Sequence, residues 1–202
     1  MHNALRRPFD HRVPEIDEGK WLADYLDRYR IALFAADIRP SLIELKRMLE
    51  TCQTAGKKAI IAGNGGSAAI ASHGAVDFTK NAGVRSVTFN EADLITCLAN
   101  DFGYECWLAK ALEFYADDGD VAILISSSGE SANLIKAAEY ARSRPLAVVT
   151  FTGFAANNRL RKLGDLNFWV DSRAYNIVEM THQIWLLAVC DLIIQRAEYP
   201  AR

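Results

Sequence analysis

Histidine and carboxylate side chains at helical spacing are the residues of this chain best suited to proton transfer or metal binding. His73 and Asp77 are four residues apart in a segment with a helical pattern, so both side chains should leave the helix on one face. Such a pair can act as general acid and base, or supply two ligands of a metal ion. The same spacing also suits a plain ion pair on the helix surface, and the sequence leaves both interpretations open.

Two further polar pairs have comparable alternatives. Glu179 and His182 are three residues apart near the C-terminus, and an apolar stretch follows them, so they could equally form the polar edge of a buried amphipathic helix. Asn100 and Asp101 stand before a Phe-Gly pair. Their side chains could bind sugar hydroxyls, or they could form a turn that caps the next helix.

Two short loops of glycine and hydroxyl residues indicate the kind of ligand. The first, Gly63–Ser67, follows the apolar run 59–62, and the second, Ser126–Ser131, follows the apolar run 121–125. Each is a predicted strand, then small polar residues, then a helical pattern, which places backbone N–H groups at a helix N-terminus, where an anion is favoured. Neither loop matches a dinucleotide or P-loop consensus, so we expect a small phosphorylated molecule and no nucleotide cofactor.

Alternating strand and helix patterns must position these loops. After a helical lead-in over residues 21–56, predicted strands alternate with helices up to a final helix at about 174–196. The predicted strands cover residues 58–62, 86–89, 121–126, 147–151 and 166–170. This order predicts an α/β fold, a three-layer sandwich with a five-stranded parallel sheet of flavodoxin-like type preceded by long N-terminal helices. Residues 1–18 are predicted to be a flexible arm and residues 19–202 a single domain that includes those helices.

Composition limits the classes of partner. The chain has 202 residues, 50% of them hydrophobic, and a formal net charge of −2, which gives no electrostatic reason to bind nucleic acid directly or an anionic membrane. Its four cysteines lack CxxC spacing, which indicates reduced thiols. The N-terminal segment has no signal-peptide core, and no apolar run approaches the length of a bilayer span. We therefore expect a cytoplasmic protein.

Taken with a Thr152-Gly153 pair, these motifs resemble the sugar isomerase (SIS) domain family, and within it the phosphoheptose isomerase branch, over about residues 21–196. By this resemblance, His73 and Asp77 match a histidine and a glutamate that bind zinc, the acidic residue also being the catalytic base. The resemblance assigns substrate binding to the two loops and the Asn-Asp pair, namely Asn64, Gly65, Gly66, Ser67, Asn100, Asp101, Ser126, Ser127, Ser128 and Ser131.

The last helix departs from the pattern of this branch. The branch has a glutamine and, eight residues later, a histidine, and both contribute to metal binding and catalysis. Here the glutamine position falls on Val178 or Glu179, and the histidine position falls on Leu186 or Leu187. Valine and leucine have no atom that binds zinc, so half of the ligand set depends on replacements.

Glu179 and His182 are the nearest replacements. They give a predicted metal set of His73, Asp77 and Glu179, with His182 as a further catalytic group. Asp77 is also one methylene shorter than the glutamate of the branch, and Ile70 stands where an acidic residue is usual. These changes suggest altered specificity or lost activity.

The leading hypothesis is an aldose–ketose isomerase that converts sedoheptulose 7-phosphate to D-glycero-D-manno-heptose 7-phosphate through an enediol. Asp77 would be the base, and His73, with His182 or Glu179, would polarise the carbonyl oxygens. The alternative is a non-catalytic SIS protein that binds a sugar phosphate or serves as an adaptor in replication initiation. The resemblance implies a homotetramer with pockets at subunit interfaces, and one zinc or other divalent ion per subunit.

Overall fold

Helices and strands alternate around one parallel sheet in residues 16–198, the part of the chain that the computed structural model describes. The strands are β1 (Ala59–Gly63), β2 (Ser86–Val87), β3 (Val121–Ser126), β4 (Ala147–Thr152) and β5 (Leu166–Trp169). The helices are α1 (Glu18–Phe34), α2 (Arg39–Thr54), α3 (Gly66–Lys80), α4 (Ala92–Phe102), α5 (Trp107–Tyr115), α6 (Ala132–Arg142) and α7 (Tyr175–Ile194). A 3-10 turn, Arg161–Leu163, lies in the connection between β4 and β5. Of the predicted arm, all but its last three residues lie outside the described part.

The strand order is β2-β1-β3-β4-β5, with every neighbouring pair parallel. This arrangement confirms the predicted α/β sandwich. The chain leaves β1 toward β2 on one side and returns to β3 on the other, so the topological switch point lies between β1 and β3. All residues of β1 and β3 are buried, because helices cover both faces, and this explains their uninterrupted apolar sequences.

Two hydrophobic clusters separate the layers. On one face, α1, α2, α3 and α7 pack over the sheet, and on the other face α4, α5 and α6 do so. Among the described helices, α7 alone has the length and composition to cross a membrane, but 44% of its apolar window is buried inside the protein. It packs against α3, α2 and α1, as a core helix does.

A charge cluster of the buried Lys58 and Asp120 with the exposed Asp117 holds the amino ends of β1 and β3, at the end of the sheet opposite the two loops. The Lys58 ammonium lies 2.7 Å from an Asp117 carboxylate oxygen and 2.6 Å from an Asp120 carboxylate oxygen. Burial opposes the positive charge, but the hydrogen bonds to both carboxylates outweigh it and raise the pKa of Lys58. Asp120 also accepts a hydrogen bond from the Lys58 backbone, at 3.0 Å, so this cluster ties the two strands together.

Candidate functional site

The two glycine and serine loops leave the sheet side by side. Gly63, the last residue of β1, pairs in register with Ile125, the last apolar residue of β3. The first loop then turns sharply at Gly65, whose φ of 55° is in the left-handed region that favours glycine. Gly63 itself has no room for a side chain, because a Cβ there would lie 2.6 Å from backbone and side-chain atoms of Ser67. The loop therefore packs directly on the first turn of α3.

The second loop, Ser126–Ser131, is the serine loop, and its own hydroxyl groups organise it. The Ser126 and Ser131 hydroxyl oxygens lie 3.1 Å apart, and Ser126 Oγ also accepts the Gly129 N–H at 3.2 Å. Ser128 Oγ accepts the Glu130 N–H at 3.2 Å. Neither α3 nor α6 has a side-chain cap among the described residues, so both helix N-termini present backbone N–H groups at the loops.

A buried asparagine supports the serine loop from below. Asn158 donates to the carbonyls of Gly153, at 3.2 Å, and Ala155, at 2.8 Å, and its side chain leaves no space for a Cβ on Gly129. The Gly153 N–H donates to the Ser127 carbonyl at 3.0 Å. Asn158 was not among the residues predicted for the site. Its Oδ1 also accepts the Arg161 N–H at 2.9 Å, at the start of the 3-10 turn, so the sequence alone marks it as no more than an ordinary turn asparagine.

Glu179 places a carboxylate in contact with both loops. Its Oε1 accepts a hydrogen bond from Ser127 Oγ at 3.3 Å, and its carboxylate lies against the Cα of Gly66. The prediction that Glu179 belongs to the site is thus consistent with its position, beside the serine loop and at the start of α3. A negative charge there is favoured by the α3 dipole.

Asn64 joins the first loop to the second. Its side-chain amide exchanges two hydrogen bonds with Asn133 in the first turn of α6, each 2.9 Å long. Tyr104, from the connection between α4 and α5, donates to Asn64 Oδ1 at 3.4 Å. Asn100 and Asp101 lie exposed in the last turn of α4, where the Asn100 amide donates to Asp101 at 2.9 Å. This segment therefore reaches the loops through Tyr104.

His73 and Asp77 lie on the same face of α3, as their spacing predicts. His73 Nε2 is 3.4 Å from Asp77 Oδ2, and the imidazole is about half exposed. Burial and the negative charge of Asp77 raise the pKa of Asp191, near the end of α7. The same causes, with the charge of Asp191, raise the pKa of the Cys190 thiol to about 12. The pair is thus at the acidic far end of α3, away from the loops.

His182 does not face the loops. Its ring is fully buried, and Nε2 lies 3.0 Å from the carbonyl oxygen of Thr152, in β4. The ring meets Phe151 edge-to-face, with the ring centres 5.6 Å apart. Desolvation lowers the pKa of His182 to about 4, so the ring is neutral at physiological pH. α7 therefore turns His182 into the core of its own chain, away from the loops, and its action on the substrate stays a prediction that this position does not support.

Comparisons with known proteins place the fold and the loops in one family. The SIS domain model matches residues 30–153. The chain is 33% identical over 152 residues to the phosphoheptose isomerase of Fusobacterium nucleatum, an alignment that covers 73% of this chain and 77% of the relative. The chain belongs to the phosphoheptose isomerase family of SIS domain proteins. The resemblance seen in its loops is thereby confirmed.

Solved structures of phosphoheptose isomerases have the same fold as this chain. The structure of phosphoheptose isomerase GmhA from Neisseria gonorrhoeae superimposes with a TM-score of 0.81 and 26% sequence identity, and the match covers 87% of this chain and 99% of that one. A phosphoheptose isomerase from Francisella tularensis has the same TM-score at 22% identity, which supports the fold.

The zinc ion implied by the phosphoheptose isomerase resemblance does not fit the donors of a single chain. His73 and Asp77 are together, but Glu179 is at the opposite end of α3, and among residues 16–198 no cluster of three or more His, Cys, Asp or Glu side chains is placed to hold a metal. Val178 packs on Gly153, where a Cβ would lie 2.8 Å from its methyl carbons, and Leu186 is fully buried. The predicted three-ligand set is therefore not assembled within one chain.

Proposed function

We propose that this protein is an aldose–ketose isomerase that converts sedoheptulose 7-phosphate to D-glycero-D-manno-heptose 7-phosphate in the cytoplasm. The reaction moves a proton between C1 and C2 through an enediol, so it requires a base within reach of both carbons. Family membership favours this enzyme over the non-catalytic adaptor.

The observation that carries the proposal is the meeting of the two loops at the switch point of the sheet. The N-termini of α3 and α6 and the hydroxyls of the serine loop together suit a phosphate dianion. In this proposal Ser128 and Ser131 bind the phosphate, and Ser126 and Ser127 shape the loop. Binding energy from the phosphate holds the reacting carbons in place for proton transfer.

The proposed base, Asp77, is too far from the loops of its own chain to serve the sugar bound there. Asp77 is eleven positions after Gly66 in α3, which is roughly 16 Å at the rise of an α-helix. A seven-carbon sugar phosphate is shorter than this. A second copy of the chain would therefore have to bring its own His73 and Asp77 to the loops.

Exposed apolar residues on α1 and α3 support assembly of several copies. Trp21, Leu26 and Phe34 of α1 are 51%, 63% and 77% exposed, and Val76, beside Asp77 on α3, is 59% exposed. Both helices pack on α7, and apolar exposure of this extent is typical of a subunit interface. We therefore propose a homotetramer in which each site combines loops from one subunit with the His-Asp pair of another.

Mixed tetramers test this arrangement directly. Ser128→Ala and Asp77→Asn homotetramers should each be nearly inactive with sedoheptulose 7-phosphate, in an assay that measures heptose 7-phosphate by chromatography. After mixing and subunit exchange, sites that combine an intact loop with an intact Asp77 should restore activity, to about a quarter of wild type by random assortment.

Glu179 provides the contrasting outcome. It lies at the loops of its own chain. If Glu179 were the base, a mixture of Ser128→Ala with Glu179→Gln would remain inactive, because both changes fall in the same site. Asp77→Asn alone would then stay active. A mixture of Ser128→Ala with Ser131→Ala is the matched control, because both changes affect the same loop and no assortment repairs a site. Wild-type protein that binds sedoheptulose 7-phosphate without proton exchange in deuterated water would overturn the isomerase and favour the adaptor.

A further inference from the structure

The amide pair of Asn64 and Asn133 links the two phosphate loops through side chains alone. Asn64 Nδ2 donates to Asn133 Oδ1, and Asn133 Nδ2 donates to Asn64 Oδ1, both at 2.9 Å. Asn133 is 2% exposed, and its position in the first turn of α6 is fixed by packing, so it acts as the rigid member of the pair. Asn64, in the first loop, is half-buried.

The hydrogen bonds of Asn64 determine what it can offer a ligand. A side-chain amide has two N–H groups and an oxygen that accepts two hydrogen bonds. Asn64 Oδ1 accepts one bond from Asn133 and one, at 3.4 Å, from the hydroxyl of Tyr104, which fills its capacity. One N–H of Asn64 is used by Asn133, so the group left for a ligand is the second N–H.

We infer that Asn133 is a positioning residue, which fixes the Asn64 amide so that it presents only a hydrogen-bond donor to an oxygen of the bound sugar phosphate. Without Asn133, the Asn64 amide could rotate and turn its oxygen toward the phosphate. That orientation would repel an anion, whereas an N–H attracts one. The inference rests on the proposed function, because it takes the two loops to be the sugar phosphate site.

The test measures the dissociation constant of sedoheptulose 7-phosphate by calorimetry, separately from turnover. Asn133→Ala frees the amide and should weaken binding about tenfold, the usual effect of losing one hydrogen bond to a charged group. Asn133→Asp should weaken it more, about a hundredfold, because a carboxylate accepts from Asn64 Nδ2 but repels Asn64 Oδ1. Tyr104→Phe, at an exposed position with little risk to folding, should weaken binding about threefold.

A double-mutant cycle separates positioning from a general effect on folding. If Asn133 acts only through Asn64, Asn133→Ala should cause no further loss of affinity in an Asn64→Ala background. The matched control is Asn167→Asp in β5, whose side chain bonds Thr150 and the Gly164 carbonyl away from both loops. This control should lower the melting temperature and leave the dissociation constant unchanged.

Equal affinity of wild type, Asn133→Asp and Tyr104→Phe for the sugar phosphate would overturn the inference. So would a double-mutant cycle in which the losses of affinity from Asn64→Ala and Asn133→Ala add up. A wild-type protein that binds the sugar phosphate but does not isomerise it counts against the proposed function alone, since the cycle measures only binding.

Discussion

Leu186 of α7 packs directly against Gly74 of α3: a Cβ on Gly74 would lie 2.7 Å from Leu186 Cδ2. Further along the same pair of helices, Asp77 is close to Cys190, and at their start Gly66 meets Glu179. The contacts advance together along both helices, so α3 and α7 run parallel at close range. This packing puts Leu186 in the core and leaves Glu179 beside the first turn of α3.

The close approach at Gly74 predicts a sensitive position. Gly74→Ala should lower the free energy of unfolding by about 1–3 kcal/mol, since the added methyl group overpacks the contact with Leu186. Gly19→Ala in exposed α1 is the control, because its Cβ would meet a neighbouring atom only at 3.4 Å. We expect the control to be as stable as wild type or slightly more so. Urea unfolding curves measure both, and equal stability of the two variants would contradict the prediction.

Burial of His182 predicts a loss of stability in acid. Because the pKa of His182 is lowered to about 4 in the folded protein from its ordinary value of 6.5, the unfolded chain binds more protons between these pH values. Stability is thus fully present above pH 6.5 and falls as the pH drops to 4, by about 3 kcal/mol in total. Below pH 4 this contribution levels off.

The His182→Gln variant isolates this effect, because glutamine can still donate to the Thr152 carbonyl but does not titrate in this range. The difference in unfolding free energy between wild type and variant should change with pH between 6.5 and 4 and be constant above that window. A difference that stays constant across the whole range would show that the ring does not titrate as its burial requires.

The sequence predicts the sheet well because β1 and β3 are buried on both faces, so their residues are continuously apolar and end at small polar loops. The direction of side chains on α7 is harder to predict. Glu179 and His182 are three residues apart, yet the close packing of α7 on α3 leaves Glu179 at the loops and turns His182 toward β4. Residues three apart on a helix point in similar but not identical directions. Because α7 is apolar nearly all round, its sequence does not show which side faces the core.

Asn133 and Asn158 escape sequence reasoning for a different reason. Both are buried polar residues whose partners are distant in sequence or lie in irregular backbone. Their types are common in turns and helix starts, so nothing in the local pattern separates them from ordinary loop residues. A polar residue on the buried face of the first turn of a helix is the signal that would have identified Asn133.

Metal removal tests how many ligands a zinc ion at His73 and Asp77 would have. Two donors from one chain hold zinc weakly, and in the proposed tetramer Glu179 beside the loops of a neighbouring subunit would add a third. Three ligands make a catalytic zinc site, whereas the structural zinc sites that stabilise a fold use four. Dialysis against a chelator should therefore leave the melting temperature unchanged in differential scanning calorimetry. A fall in melting temperature that added zinc reverses, and that His73→Gln abolishes, would contradict the prediction and imply a four-ligand zinc site that stabilises the fold.

The contact between Glu179 and Ser127 predicts how charge at the loops controls affinity. A carboxylate beside the serine loop repels a phosphate dianion, and for charges a few ångströms apart near a surface the repulsion corresponds to about 1–3 kcal/mol. Glu179→Gln keeps a hydrogen-bond acceptor for Ser127 and removes the charge. We expect it to tighten sedoheptulose 7-phosphate binding about tenfold, as measured by calorimetry.

Glu130→Gln is the matched control for Glu179→Gln. Glu130 is a residue of the serine loop itself. Its carboxylate accepts the Arg159 N–H at 2.9 Å in exposed surroundings, where solvent screens its charge. This variant should change affinity less than twofold. The gain from Glu179→Gln should also shrink with inorganic salt, because screening weakens the repulsion that the substitution removes. If Glu179→Gln instead lost turnover completely at unchanged affinity, the carboxylate would be acting on the reacting carbons and not on the phosphate.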